Sequence, residues 1–275
     1  TAWYTITFDP DLNLVYIGTG NGSPWNQKVR SPSGGDNLYL SSIVALNADT
    51  GKYAWHYQET PGDHWDYTAT QPMILADINI DGAPRKVILH APKNGFFFVI
   101  DRTNGKFISA KNFVDVNWAT GYDKNGRPIE TAAARTADRP REIIPSAFGA
   151  RNWHSMSYNP ATGLVYMPVQ GVPLTLMDNK DWKFNADRPG EPHANMGWNL
   201  ATFANVEPPT SKPYGKPFKT DNPASYSFTL KTGPIKNFAR LLGDSIPFWK
   251  DLYAHPDYDA FWKARNVRNF MTAIK

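Results

Sequence analysis

A chain of 275 residues with 41% apolar and 14% aromatic side chains can bury a sizeable core, which argues against disorder and allows one large domain or two ordinary ones. It holds no cysteine, so disulfides, thiolate metal sites and cysteine nucleophiles are excluded within it. Its net charge of +4 is uneven: residues 1–209 carry 18 Lys/Arg against 20 Asp/Glu, and residues 210–275 carry 11 against 5. The near-neutral first part argues against nucleic acid as a partner, and no run is long and apolar enough to span a membrane. No signal peptide is visible. The chain opens without Met on what reads as the middle of a strand, so an N-terminal portion is expected before Thr1.

In chain order, Tyr4, Ile6 and Phe8 alternate, Asp9-Pro10-Asp11-Leu12-Asn13 turns, and Leu14-Val15-Tyr16-Ile17 resumes, which predicts two short strands over 1–19. Ser157-Tyr158-Asn159-Pro160 followed by Leu164-Val165-Tyr166 repeats that pattern. A second repeat runs Ala45-Leu46-Asn47-Ala48-Asp49-Thr50-Gly51-Lys52-Tyr53-Ala54-Trp55, with a weaker copy at Val99-Ile100-Asp101-Arg102-Thr103-Asn104-Gly105-Lys106-Phe107. Each is strand, Asp-x-Thr-Gly-type turn, strand, with Gly supplying the positive φ of a tight turn. Trp55 closes the first copy and is placed to dock on the next unit. Strand-turn-strand units recurring about every 50 residues mark β-propeller blades. Val87-Ile88-Leu89-His90-Ala91 and Gly95-Phe96-Phe97-Phe98-Val99-Ile100 read as inner strands of one blade. Polar stretches at 23–38, 115–141 and 170–209 interrupt the pattern and read as loops that build a site over one face.

The chemistry centres on Pro61-Gly62-Asp63-His64-Trp65-Asp66-Tyr67. Asp66 sits between two aromatic residues in a segment opened by Pro-Gly. That setting holds a carboxylate partly desolvated, with the raised proton affinity a general base needs. Taken alone, the segment reads first as a turn whose Asp caps backbone groups. His64 would border a pocket or lie exposed. None of His56, His64, His90 and His154 has zinc-site spacing, and no phosphate loop, dinucleotide fingerprint or Gly-x-Ser-x-Gly elbow is present.

Four stretches change the weight of that acid: Gly18-Thr19-Gly20-Asn21-Gly22-Ser23-Pro24-Trp25, Gly62-Asp63-His64-Trp65-Asp66-Tyr67, Pro92-Lys93-Asn94-Gly95-Phe96-Phe97 and Arg151-Asn152-Trp153. In this order, on propeller repeats, they make residues 1 to about 209 resemble the middle of a pyrroloquinoline quinone (PQQ) dependent alcohol dehydrogenase. The resemblance implies an all-β fold, about half of an eight-bladed propeller of four-stranded blades, followed by a short α-helical tail. It makes Trp3 the indole stacked on the quinone and Thr1 a hydrogen-bond partner of the cofactor's edge. It makes Asn21 an oxygen ligand of an active-site Ca²⁺ and Asp66 both a ligand of that ion and the base that takes the alcohol's proton. Lys93 would hydrogen-bond the quinone oxygens and stabilise charge developing there, with Asn152 and Trp153 beside the cofactor. Thr68 stands where lanthanide-using relatives place a second acid, which argues for Ca²⁺. Lys93 stands where methanol-specific relatives usually have Arg, which leans towards broader alcohol dehydrogenases. By the residues alone, Asn21 between two glycines, Trp3 on a strand, Lys93 before Asn94-Gly95 and the Asn152-Trp153 pair read equally as turn and packing residues. The resemblance also places an acidic Ca²⁺ ligand and an adjacent-cysteine disulfide upstream of Thr1.

Residues 214–275 instead resemble α/β-hydrolases of the X-prolyl dipeptidyl aminopeptidase, cocaine esterase and α-amino-acid ester hydrolase group. The resemblance runs through Asp221-Asn222-Pro223-Ala224-Ser225-Tyr226, Phe248-Trp249-Lys250-Asp251-Leu252 and His255-Pro256-Asp257-Tyr258-Asp259-Ala260-Phe261-Trp262. Phe248 and Leu252 with Trp249 and Tyr253 predict an apolar helical stripe, ended by Pro256, with Asp257 or Asp259 capping a next helix. No catalytic triad falls in this segment. The sequence thus predicts a partial propeller over 1–209 and a helical segment over 210–275, in a partial or composite chain. It predicts a periplasmic PQQ- and Ca²⁺-dependent alcohol dehydrogenase with a cytochrome c or quinone as electron acceptor. The alternatives are a hydrolase identity and a non-catalytic propeller binding module.

Overall fold

The structure, a computed structural model, describes residues 2–135, 139–178, 198–200, 230–238, 247–266 and 268. Asp9 starts the fold by closing its first turn: Oδ1 accepts the amides of Asp11 and Leu12 at 3.1 and 3.4 Å. That turn joins β1 (Ala2–Asp9) to β2 (Leu14–Thr19), as the alternation predicts. A longer connection carrying the four-residue helix α1 (Gln27–Arg30) leads to β3 (Ser42–Asn47) and β4 (Tyr53–Gln58). The four strands form one antiparallel sheet in chain order. β5 (Ile74–Ile80), β6 (Ala83–His90), β7 (Phe96–Asp101) and β8 (Phe107–Asn112) form a second sheet of the same kind.

The repeated turn has one construction. Asn47 Oδ1 accepts the Thr50 amide and hydroxyl while Gly51 N donates to Asn47 O. In the next sheet Asp101 Oδ1 accepts the Thr103 amide and hydroxyl while Gly105 N donates to Asp101 O. A short polar side chain, a Thr and a left-handed Gly are what this turn requires.

The two sheets pack face to face. Tyr16, Ile43, Trp55 and Tyr57 of the first share a core with Ile88, Phe96, Phe98 and Ile100 of the second. The opposite face of the second sheet, Val87 and Leu89, packs on Tyr158 and Val165 of a hairpin, β12 (Ser157–Asn159) with β13 (Leu164–Tyr166). Neighbouring side chains of β6 are therefore buried on both faces, which is why Val87-Ile88-Leu89 is continuously apolar. Trp55 docks where the sequence places it: its ring lies against the Gly105 turn of the next sheet, and a Cβ on Gly105 would stand 2.5 Å from it. An ion cluster centred on buried Arg102 and Asp9 clasps the same junction. Arg102 Nε meets Asp9 Oδ2 at 2.7 Å and Nη1 meets Asp77 Oδ1 at 2.6 Å, and the Tyr16 hydroxyl donates to Asp9 at 3.0 Å.

Among the described residues, parts of the polar interruptions form strands rather than loops. Residues 115–141 contain the hairpin β9 (Ala119–Tyr122) with β10 (Pro128–Glu130). β11 (Arg141–Ile143) pairs with β14 (Leu174–Asp178), which pairs with β15 (Trp198–Leu200). Two compact units divide the chain, Thr1–Val206 and Glu207–Lys275. In the second, helix α2 (Pro247–Ala254) ends before Pro256, and Asp259 caps α3 (Ala260–Ala264) by accepting the Phe261 amide at 2.9 Å. The Asp221–Tyr226 stretch quoted above lies outside the described residues. Among the described residues no helix is long and apolar enough to cross a membrane.

Candidate functional site

Two loops build the site. One leaves β4 and runs through residues 59–70; the other leaves β6 and runs through 91–95. The first is wound around Asp63, a fully buried acid whose Oδ1 accepts the amides of Trp65 at 3.2 Å and Tyr67 at 2.9 Å. This winding leaves Asp66 at φ +65°, a left-handed conformation that a non-glycine side chain holds only where its surroundings fix it. They do so on both sides. Trp65 Nε1 donates to Ala134 O at 3.0 Å and the Tyr67 hydroxyl to Pro145 O at 2.5 Å. Trp65, Tyr67, Trp118 and Phe96 rings pack on one another, and the Arg135 guanidinium covers the Trp65 face at 4.6 Å.

Asp66 and Lys93, 27 residues apart, meet here: Lys93 Nζ donates to Asp66 Oδ2 at 2.7 Å. Their side chains are 13% and 8% exposed, so the pair is screened little by water. Burial pushes the Asp66 carboxyl up to about 6; the Lys93 ammonium opposes that shift and the Asp63 charge adds to it. Burial likewise raises the Asp63 carboxyl, against the hydrogen bonds from Tyr67 and Trp65 and the Arg30 and Lys93 charges. A carboxylate with that affinity, facing a cation, can hold a proton and release it near neutral pH.

Lys93 is not a solvated turn lysine. Its carbonyl accepts the Ala150 amide at 2.9 Å, and Gly149, at φ +81°, lies so close that a Cβ there would overlap the lysine stem. Arg151 ties the same loop down, donating from Nη1 to Ala91 O and from Nη2 to His154 O, both at 2.8 Å. Burial pushes the Arg151 guanidinium down to about 10, with Tyr4 opposing.

Asn21 reaches the first loop through the backbone. Ser41 N donates to Gly20 O at 3.0 Å and Ser41 Oγ to Tyr67 O at 2.5 Å, while Ala69 N donates to Thr19 O at 2.9 Å. Asn21 Nδ2 bonds Gly22 O at 3.2 Å. Asn152 Nδ2 bonds Phe148 O at 3.0 Å, and its buried Oδ1 has no partner among the described residues. Trp3 on β1 is 38% exposed and Trp153 is 55% exposed; neither makes a ring contact or hydrogen bond with the Asp66–Lys93 pair among the described residues. Thr1 lies outside the described residues.

His64 corrects the sequence reading. It is buried rather than exposed, and its Nδ1 accepts the Gln27 amide at 3.0 Å. Burial, with Arg135, Arg30 and Lys28 nearby, pushes it well below the usual histidine range, so it serves as a neutral acceptor. Sequence reasoning gave no role to Asp63, Gly149 or Arg151. Asp63 had a visible signal, an Asp right after Pro-Gly at the head of the motif. The other two act through contacts that spacing does not reveal.

The fold and site define a class: a β-propeller segment whose loops, one between two sheets and one within the second sheet, hold a buried carboxylate–ammonium pair. Residues 1–117 match the family model described as "PQQ: Glucose/ethanol/alcohol dehydrogenase, beta-propeller domain". The chain is 69% identical over 216 residues to the quinohemoprotein alcohol dehydrogenase of Comamonas testosteroni, covering 78% of this chain and 30% of that protein. It is 60% identical over 194 residues to the 1-butanol dehydrogenase (cytochrome c) of Thauera butanivorans, covering 70% and 28%. The Comamonas testosteroni crystal structure superposes with a TM-score of 0.68 at 70% identity, over 78% of this chain and 32% of that one. A europium-containing methanol dehydrogenase superposes with a TM-score of 0.66 at 37% identity, over 72% and 34%. The match to that family's model is confined to residues 1–117, and the chain spans under a third of the length of these curated relatives.

Proposed function

We propose that the protein carrying this chain oxidises a small alcohol to an aldehyde with PQQ and Ca²⁺. The observation that carries this reading is the buried Asp66–Lys93 contact, with a carboxyl affinity raised to about 6 beside a fixed ammonium. The residues present fit both groups. The Oδ1 atom of Asn21 accepts no hydrogen bond from the described residues, and Asp66 keeps one oxygen beyond its bond to Lys93. A neutral amide oxygen and a carboxylate are what a hard cation takes. Lys93 keeps two donors and Asn152 an unpaired buried oxygen for the polar edge of a flat quinone. On this reading Trp3 offers an indole face, and Thr1 and Trp153 border the cofactor.

When bound, PQQ supplies a two-electron acceptor and the cation a Lewis acid that polarises it. Asp66 contributes the base: an oxygen of its carboxylate takes the hydroxyl proton of the alcohol. Lys93 holds that carboxylate in place and presents positive charge towards developing negative charge. Thr68 is buried and its hydroxyl accepts from Thr70 and Gln71, so position 68 brings no second carboxylate, which favours Ca²⁺ over a lanthanide. Among the described residues no three His, Cys, Asp or Glu gather at metal-binding distance, so on this reading further ligands come from outside them.

A cytochrome c or a quinone as electron acceptor, a periplasmic location, and a boundary near residue 209 between the propeller part and the 210–275 segment belong to the same proposal. The test is dye-linked alcohol oxidation by the whole protein after reconstitution with PQQ and Ca²⁺. Stoichiometric PQQ uptake with turnover supports the reading; a protein that takes up no PQQ ends it.

A further inference from the structure

The loops carrying Asp66 and Lys93 are joined by three rungs. At the tips, Lys93 Nζ meets Asp66 Oδ2 at 2.7 Å. In the middle, Asn94 Nδ2 donates to Thr60 Oγ1 at 3.1 Å. At the roots, where the chain leaves β4 and β6, Glu59 Oε1 and His90 Nδ1 stand 2.7 Å apart with both side chains fully buried. The mechanism above uses only the first rung. The root rung is the costly one, since burying an acid and an imidazole is unfavourable unless they satisfy each other.

The proton count of this rung follows from its partners. His90 Nε2 lies 3.0 Å from the carbonyl of Gln71, which only accepts, so Nε2 carries a hydrogen. The contact between Oε1 and Nδ1 then requires one further proton between them. Glu59 Oε2 has no partner among the described residues, and burial raises the carboxyl's proton affinity against the pull of His90. Whichever atom holds the proton, the pair is neutral overall and directional at both ends. It also fixes more than two side chains. The Tyr122 hydroxyl donates to Glu59 O at 2.6 Å, and Gln71 follows the Asp66 loop as Ala91 opens the Lys93 loop.

We propose that Glu59 and His90 are positioning residues: a buried staple with one shared proton that sets the register of the two loops, and so holds Asp66 against Lys93. This rests on the alcohol-oxidising reading for its kinetic consequence, while its structural consequence stands apart from turnover. Glu59→Gln keeps the staple in neutral form, because the amide can donate to Nδ1 while Nε2–H still meets Gln71 O. Glu59→Leu removes it and leaves Nδ1 buried without a partner. Glu59→Leu combined with His90→Phe removes both polar side chains together and leaves only the Gln71 carbonyl without its donor, so it perturbs the fold less than Glu59→Leu alone while losing the directional contact.

The experiment uses the whole protein loaded with PQQ and Ca²⁺ and reads cofactor absorbance, kcat, KM and amide hydrogen exchange over residues 59–71 and 90–95. In Glu59→Gln, kcat stays within about threefold of wild type; in Glu59→Leu and in the double variant it falls about tenfold or more at unchanged PQQ content and near-constant KM. Exchange in both loops rises in those two variants and stays at the wild-type level in Glu59→Gln. The staple is overturned by a double variant that keeps wild-type kcat and loop protection, or by Glu59→Gln losing as much as Glu59→Leu. It is also overturned if the kcat losses merely track lost PQQ. A wild-type protein that oxidises no alcohol sinks the functional reading instead, and the exchange comparison still decides the staple.

Discussion

At the scale of single residues, the site works by removing freedom from a few polar atoms. Asp63 uses one oxygen to wind the backbone that presents Asp66 at a left-handed φ, and Gly149 leaves the space through which the Lys93 stem passes. Asp66→Asn keeps the size of the side chain and one acceptor oxygen for Lys93 but cannot take a proton. It should lower alcohol turnover by about 100-fold or more with PQQ still bound, read by dye reduction and cofactor absorbance. Retained turnover would remove Asp66 from the mechanism. Gly149→Ala is the sharper geometric test. The new Cβ strains a left-handed backbone and strikes Lys93, so it should cost about 1–3 kcal/mol of stability and displace the ammonium from Asp66. Denaturant unfolding and kcat measured together check it; an unchanged kcat in a destabilised protein would mean that Lys93 is not held from this side.

At the scale of elements, the junction between the two four-stranded sheets carries the propeller geometry, and part of it was legible in the sequence. The Asn47–Gly51 and Asp101–Gly105 turns repeat because an Asn or Asp side chain, a nearby Thr and a left-handed Gly four residues on close both, and such chemistry is local enough to show in the sequence. Trp55 was legible for the same reason, at the end of a repeat with a repeat to follow. Arg102 was not. It sits in a turn sequence that reads as solvated, yet its guanidinium is buried on Asp9, 93 residues earlier, and on Asp77. Glu59–His90 and the burial of His64 were hidden likewise, because a polar residue's partner across two sheets leaves no periodic trace. The short strands β9, β10 and β14 lie in stretches read as loops because so few residues alternate too little to show, whereas the β12–β13 hairpin was legible as a repeat of the first one. Trp55→Ala should cost about 3–5 kcal/mol, since the indole fills the space over Gly105 and against Tyr16. Arg102→Met should cost about as much, by leaving Asp9 buried and unpaired. Chemical denaturation checks both, and a loss under about 1 kcal/mol for either would mean that this junction is not what holds the blades together.

At the scale of the whole molecule, one row of side chains is out of keeping with a finished surface. Ile6 and Phe8 share one face of β1 and are 64% and 54% exposed. β1 is also the terminal strand of its sheet, pairing with β2 alone. Apolar side chains beside an unpaired strand edge form a template for association. The corresponding face of the second sheet is covered: Ile88, Phe98 and Ile100 pack against the first sheet. The relatives are more than three times as long as the part matched here, which leaves ample chain to cover such a face. The 275-residue polypeptide alone should therefore self-associate as its concentration rises, measured by light scattering or sedimentation. Ile6→Lys with Phe8→Lys should suppress that association, because two ammonium groups on the face oppose both stacking and edge pairing. In a longer protein whose further blade covers β1, the same two lysines would be buried, and the melting temperature should fall instead. Opposite signs in the two settings would identify this face as a blade interface; a lysine pair that leaves both association and melting unchanged would show that the exposed row is ordinary surface.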